Sequence, residues 1–550
     1  MSSATTAEAN PSRGLTQRML DGIETVGNKV PHPVLMFLYL IIIVIFLSHI
    51  LYLFGVSVTE DIATPVTPPL ALDYYEDTTE PGILGLTDPY GVEYQIEQRT
   101  IAIRSLLTRD GIRFLFTSFV SNFAGFGVVA VTLVAMAGVG VAEHAGMMGA
   151  LIRKLVKVAP RRLITFIIVF VGVLSSIATD AGYLILIPLG AAAFLSLRRH
   201  PLAGMAAAYA GVGAAFGVNL LITPIDSMLT EITNEAIGLV GGEPITVAAN
   251  FFFAIGSTFV LSIVAAFITD RVIERRLGTY ADLPDEDADA GQDPEAIAAE
   301  GRGLRYSLYG FLAMVLLVLL ITLPPNAPLR DPQTGAIVGN TPFMDSLIFV
   351  ISLTFLVSGI FYGIGAGTIT GSSDVISGIT KTFAGLSGLI LMLLMISQFI
   401  AYFNFSNMPS VVAVSMAEVL ERAPVGPLAL LVGMILVIFL LNIILPGVVP
   451  KWAIFAPVFI PIFARLGVAP QTVLAAYRVG DSPLNVITPL MVYLPFIITV
   501  AQRYQKDAGI GTIIALMLPY SLAMAVAWVL LFIVWFMLGI PLGPGYPVGV

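Results

Sequence analysis

Apolar runs of roughly 20 residues, each long enough to cross about 30 Å of hydrocarbon, alternate along this chain with short polar stretches. The pattern predicts helical spans at about 33–54, 116–142, 201–225, 246–269, 305–323, 343–364, 384–404, 471–496 and 508–538. A loop is expected between the third and fourth spans, and a surface helix at 366–382. Two further apolar segments, 161–200 and 425–466, break the rhythm. Each has two arms around a polar or proline-rich centre, "SSIATDAG" (175–182) in the first and "PGVVPKW" (446–452) in the second. They read as re-entrant hairpins, because irregular backbone at membrane depth is tolerated only where protein or a water-filled cavity surrounds it. The expected fold is an all-α polytopic membrane protein with about nine transmembrane helices and two hairpins.

Charge supplies the orientation, since Lys and Arg mark the cytoplasmic ends of spans. Arg13, Arg18 and Lys29 precede the first span, and "RKLVKVAPRR" (153–162) follows the second. Arg198, Arg199 and His200 close the first hairpin, and Arg271, Arg275 and Arg276 follow the fourth span. The N-terminus is therefore expected in the cytoplasm and the C-terminus outside. Residues 56–98 hold nine acids and no Lys or Arg, which places them outside. Residues 282–300 hold eight acids and no Lys or Arg, and 280–303 reads as a disordered cytoplasmic linker. The organisation is then a cytoplasmic segment (1–32), scaffold spans (33–142), a first hairpin and helix (161–225), more scaffold spans (246–404), a second hairpin and helix (425–496), and a last span with tail (508–550). With these orientations the first hairpin enters from inside and the second from outside.

The helix that follows each hairpin repeats. "AAYAGVGAAFGVNLLITP" (207–224) and "AAYRVGDSPLNVITP" (475–489) both begin Ala-Ala-Tyr, pass through glycine to asparagine, and end Ile-Thr-Pro. Gly211, Gly213, Gly217 and Pro224 are expected to break the first copy, and Gly480, Pro483 and Pro489 the second. Inverted repeats with discontinuous helices near the midplane characterise secondary transporters, whose broken ends offer backbone N–H groups to anions and C=O groups to cations.

Composition narrows the classes. Mean hydropathy is +0.91. Charged residues make up 11%, where a soluble domain has about 25%. The absence of cysteine excludes disulfide, zinc-thiolate and thiol chemistry. His32, His49, His144 and His200 show no metal-ligand spacing. Nothing resembles a nucleic-acid footprint, and no GxxxxGK[ST] loop supports ATP-driven pumping. The polar first 30 residues and the apolar run after them lack a small-residue cleavage site, so the run is expected to stay as a first span.

Few charged or polar residues fall inside the apolar segments, and such residues default to function or to pairing. Arg478 and Asp481 are three apart, on one face if helical, and could form an ion pair of their own or a binding site. Asp180 lies at the first hairpin tip, where it could hold a proton or an ion, or cap a short helix. Lys451 and Trp452 lie at the second tip. Lys451 could reach a watery vestibule or assist Arg478, and Trp452 could pack, anchor or stack on an aromatic substrate. Asn219, Asn442 and Asn485, with Asp481, are candidate Na⁺ ligands, although asparagines at helix breaks also satisfy backbone groups. The coupling ion is left as Na⁺ or H⁺. Burial favours a protonated carboxyl unless a cation such as Arg478 offsets it, which directs proton coupling toward Asp180.

Four long blocks resemble the p-aminobenzoyl-glutamate transporter (AbgT) family: "ATDAGYLILIPLGAAAF", "HPLAGMAAAYAGVGAAFGVNLLITPID", "SSDVISGITKTFAGLSGLILMLLMISQFIAYFNFSN" and "KWAIFAPVFIPIFARLGVAPQTVLAAYRVGDSPLNVITPLM". The resemblance covers nearly the whole chain. It implies a homodimer of nine-span protomers with two opposed hairpins in the bacterial inner membrane. It implies a site built from Asp180, Trp452, Pro470, Arg478, Asp481 and Pro489, with Asn442 near a sodium ion. It also implies anionic aryl amides or sulfonamides as substrates, either a folate fragment taken up or sulfa drugs expelled. Two rivals remain on the residues alone. One is a passive channel. The other is an intramembrane aspartyl protease using Asp180 and Asp481, since "RVGD" (478–481) half matches a Gly-x-Gly-Asp motif.

Overall fold

The computed structural model describes residues 33–65, 94–177, 182–280, 294–338, 341–421, 426–444 and 447–549. The N-terminal segment 1–32, most of the acidic stretches, both hairpin tips (178–181 and 445–446) and hence Asp180 lie outside the described residues.

Helix α1 (Pro33–Leu53) leads into a two-stranded antiparallel ribbon of β1 (Ser57–Pro65) and β2 (Tyr94–Ala102), in register from Ser57↔Ala102 to Pro65↔Tyr94. The ribbon brackets the acidic loop and is the one sheet among the described residues. Short helices α2 (Arg109–Thr117) and α3 (Phe119–Ala124) precede α4 (Gly127–His144) and α5 (Met147–Lys157).

The first hairpin follows. Its arms are α6 (Ile164–Leu174) and a π-helical turn Gly182–Leu186 continuing into α7 (Ile187–Ser196). An 11-residue α6 is about 16 Å long, too short to cross a bilayer alone. The two ends of the hairpin meet, because Arg199 donates to Thr165 Oγ1 at 2.9 Å. Arg199 also pairs at 2.6 Å with both Asp270 and Glu274.

After the hairpin, α8 (Pro201–Tyr209) runs into a π-helical turn, Ala210–Ala214, and then unwinds over 215–223. The chain does not continue as the expected loop. It restarts at once as α9 (Pro224–Gly238). The cause is local. Thr223 and Asp226 form a capping box, in which Asp226 Oδ2 accepts the Thr223 N–H at 2.7 Å and its hydroxyl at 2.8 Å. Pro224 sits at the first helical position, where its missing N–H costs nothing.

The scaffold continues with α10 (Phe251–Ile268), α11 (Glu274–Leu277), α12 (Pro294–Thr322), α13 (Pro342–Ala366), α14 (Ser372–Gly385), α15 (Ser387–Phe405) and α16 (Met408–Glu421). Helix α12 begins at Pro294, so the last part of the expected linker 280–303 is helical. The second hairpin is α17 (Pro427–Ile444) and α18 (Val448–Arg465). Helix α19 (Pro470–Asp481) then stops at Ser482-Pro483, where proline removes a donor and collides with the preceding turn. An irregular stretch leads to α20 (Leu494–Gln502), and α21 (Ile510–Met537) is the last long helix.

Among the described residues, eight helices are long and apolar enough to cross a membrane. Two of the nine expected spans, 201–225 and 471–496, are absent from that set because both are broken into short pieces, and the eighth member is α18, an arm of the second hairpin. Burial separates the layers: 61% of the α18 window is buried against protein, compared with 11% for α12. Gly480 is not a helix breaker. A Cβ there would lie 2.8 Å from Ile438 Cβ, so the glycine lets α17 and α19 pack closely.

Candidate functional site

The two unwound segments meet. A Cβ on Gly217 would lie 2.5 Å from Ser482 Oγ, and one on Gly213 would lie 2.7 Å from Val486 Cγ1. Two breaks this close require glycine on one side. The charged residues sit at this crossing, in two ion pairs carried by α19.

Asp481, the last residue of α19, is fully buried and pairs with Lys451 at 2.5 Å. Lys451 lies in the first turn of α18, equally buried, and its ammonium also contacts Asn442 Oδ1 at the end of α17. Asn442 Nδ2 donates to the Asp481 carbonyl and, at 3.0 Å, to Asn485 Oδ1. Lysine has only protons to give, so the asparagine is oriented with its oxygen toward the ammonium. Asp481 Oδ2 has no hydrogen-bond partner among the described residues. The fold brings Asn442, Asp481 and Asn485 together, and Lys451 joins them as a buried partner of the aspartate and does not extend to a vestibule.

The second pair decides against one of the two readings of the Arg478–Asp481 spacing, an ion pair of their own. Arg478 does not bond Asp481. It pairs with Asp226 of α9 and donates at 3.2 Å to the Gly217 carbonyl in the first unwound segment. Positions i and i+3 lie about 60° apart around a helix, enough for neighbouring elements to claim each side chain separately. Arg478 Nε has no partner among the described residues. Asp226 was not singled out from sequence. Its only signal was its place two residues after the repeated Ile-Thr-Pro, where the second copy has Met491.

Helix α9 also holds Trp452. The indole donates to Thr233 Oγ1 at 2.9 Å, and its face stacks on Tyr477 at 4.4 Å between ring centroids. Thr233 and Asp226 are seven residues apart, so one face of α9 supports both the tryptophan and the arginine. Tyr477 donates its hydroxyl to the Val448 carbonyl at 2.5 Å. Trp452 is 0% exposed, so in this conformation its ring belongs to Tyr477 and is closed to any substrate.

The other candidates lie apart. Asn219 donates to the Val173 and Leu174 carbonyls, each at 3.1 Å, and to Ser176 Oγ at 2.9 Å, while its oxygen accepts the Leu221 N–H. It ties the unwound segment to the first hairpin arm. Pro470 starts α19, about 16 Å along the helix from Asp481, and lines a separate cavity of about 1040 Å³ with Arg465 and Asn407. Pro489 is half-buried in the irregular stretch after α19. A further cavity of about 1100 Å³ lies among α5, α12 and α13. Lys154, Arg302 and Arg305 border it, Phe251, Phe311 and Phe355 form apolar walls, and Leu221 and Ile222 of the unwound segment line it as well.

Asn442, Asp481 and Asn485 cluster and fit a small cation, with Asp481 Oδ2 still available. In this conformation the Lys451 ammonium takes Asn442 Oδ1 and Asp481 Oδ1. Asn219 is held by the first hairpin arm in this conformation.

Comparison with known proteins agrees with this architecture. Residues 18–550 match the model of the AbgT putative transporter family. The chain is 32% identical over 539 residues to the p-aminobenzoyl-glutamate transport protein of Escherichia coli K12, covering 98% of each. It superimposes on the Alcanivorax borkumensis YdaH transporter with a TM-score of 0.81 at 35% identity, covering 94% of this chain and 100% of that one. It superimposes on Neisseria gonorrhoeae MtrF, described within a class of antimetabolite efflux pumps, with a TM-score of 0.82 at 36% identity, covering 96% and 100%.

Proposed function

Because the chain belongs to the AbgT transporter family, we propose that it is a secondary active transporter driven by a Na⁺ or H⁺ gradient. Its substrates are p-aminobenzoyl-glutamate-like aromatic anions, sulfonamides, or both. It works in the bacterial inner membrane as a homodimer, with its N-terminus cytoplasmic and its C-terminus outside.

The observation that carries this reading is the pair of buried ion pairs where two discontinuous helices cross. Charges taken out of water in such a place cost several kcal/mol, so those kept there default to function or to pairing. Arg478 keeps an unpartnered Nε and is the group to receive the substrate carboxylate or sulfonamide anion, in exchange for Asp226. Asp481 is the ion-coupling carboxylate. Asp180 stays a second proposed carrier of the coupling ion. The basic border and aromatic walls of the 1100 Å³ cavity suit an anion with an aromatic body, and its contact with Leu221 and Ile222 leads toward the helix crossing. The names of the relatives from E. coli and N. gonorrhoeae support the same substrate class.

The rivals fit less well. Lys451, Trp452 and Asp481 are each 0% exposed, so the site is closed, as alternating access requires and an open pore does not. Lys451 paired to Asp481 opposes the shared proton of an aspartyl protease dyad.

Purified protein is expected to bind radiolabelled p-aminobenzoyl-glutamate or a sulfonamide. Replacing both Arg302 and Arg305 with Gln is expected to weaken that binding about tenfold, as for loss of one charge-assisted contact of about 1.4 kcal/mol. Binding of neither compound contradicts the substrate assignment, and unchanged affinity in the double variant removes the cavity from the path.

A further inference from the structure

Lys451 stands where a transported cation belongs. Its ammonium lies 2.5 Å from Asp481 Oδ1 and contacts Asn442 Oδ1, one carboxylate and one amide oxygen, both buried. Hard monovalent and divalent cations seek this donor set. The rest of the cluster is arranged to keep those oxygens facing inward. Asn442 spends both amide protons on the Asp481 carbonyl and on Asn485, which fixes its oxygen toward the centre. Asp481 Oδ2 is buried with no donor among the described residues, an oxygen that the ammonium alone leaves unused.

Charge decides what can share this space. Asp481 and Lys451 together are neutral. Adding Na⁺ beside them would bury a net positive charge at a cost of several kcal/mol. Removing the ammonium and seating Na⁺ on the same oxygens keeps the site neutral. We infer that Lys451 is a tethered counter-ion that competes with the transported cation for Asp481 and Asn442, so that one leaves as the other enters.

The tether gives the exchange a mechanical consequence. Lys451 and Trp452 share the first turn of α18, next to the hairpin tip, and the Val448 carbonyl of that turn holds Tyr477 of α19. When the ammonium leaves, this turn loses its ionic attachment to α19. Cation loading thereby loosens the hairpin arm, which keeps its Tyr477 contacts, and cation release lets Lys451 lock it again. The inference rests on the cation-coupled reading above and adds the residue through which the cation acts.

The test is the thermal stability of the purified full-length protein as a function of Na⁺, with choline holding ionic strength constant, in wild type, Lys451→Met and Lys451→Met/Asp481→Asn. Wild type is expected to gain stability only at high Na⁺. Lys451→Met is expected to be markedly less stable in choline and to respond at a Na⁺ concentration at least about tenfold lower, because its competitor is gone. The double variant is expected to be stable in choline and indifferent to Na⁺. A Lys451→Met midpoint equal to that of wild type overturns the inference. So does a folded Lys451→Met protein with no Na⁺ response, or one that cannot be recovered folded even in saturating Na⁺. Because the readout is binding and not flux, any of these outcomes leaves a proton-driven transporter standing.

Discussion

Asp481→Asn is expected to abolish gradient-driven accumulation of substrate and to reduce flux to the passive level. Asparagine keeps an oxygen for the Lys451 ammonium and still fits the space, so the geometry survives while the charge does not. The variant leaves Lys451 as a buried, unneutralised cation, and breaking a buried pair from one side costs about 3–5 kcal/mol. A fall in unfolding temperature should therefore accompany the loss of coupling. The comparison with Lys451→Met/Asp481→Asn separates the two effects. Removing both charges should restore stability but not driven flux. Asp481→Asn protein that accumulates substrate as well as wild type would show that this carboxylate does not couple the gradient.

Asp226→Ala should be as damaging by a different route. It strands Arg478, again about 3–5 kcal/mol for one half of a buried pair. It also removes the acceptor for the Thr223 N–H and hydroxyl, a capping loss of about 1 kcal/mol. Asp226→Asn keeps one oxygen for the cap but loses both the charge and the oxygen that faces Arg478, so it should be the milder variant by at most about that last amount. Melting curves compare the three proteins directly, and substrate binding to each reports whether Arg478 is held where the anion arrives. Wild-type stability and affinity in Asp226→Ala would mean that Arg478 finds another partner at no cost and that the pair does not shape the site.

Much of this was legible in the chain, for reasons that differ residue by residue. The breaks after Ala214 and Asp481 were readable because Gly211, Gly213 and Gly217 interrupt the first apolar helix and Pro483 the second, within two copies of one string. Asn442, Asn485 and Asp481 could be grouped because polar groups at membrane depth must find one another. Asp226 escaped because its sequence setting is that of a helix cap in a loop. The arginine that needs it is 252 residues away, and no local pattern encodes that distance. The Arg478–Asp481 spacing suggested a pair because i, i+3 neighbours can touch, yet each had a better partner on a different element. The same limit explains Trp452. A tryptophan near a hairpin tip suggests a stacking surface, and only tertiary packing reveals that Tyr477 already covers its face. The ribbon of β1 and β2 was missed because a base-free acidic stretch reads as loop, whereas its Val58-Thr59 and Thr100-Ile101 flanks favour strand.

The central claim is that an ion gradient drives substrate across the membrane through this pair of crossed, broken helices. Radiolabelled p-aminobenzoyl-glutamate flux into proteoliposomes, under an imposed Na⁺ gradient, then a H⁺ gradient, then neither, tests it most directly. Accumulation above equilibrium that follows one of the two gradients is the result this account predicts. Downhill flux of equal rate under all three conditions would contradict it and make the protein a passive conduit.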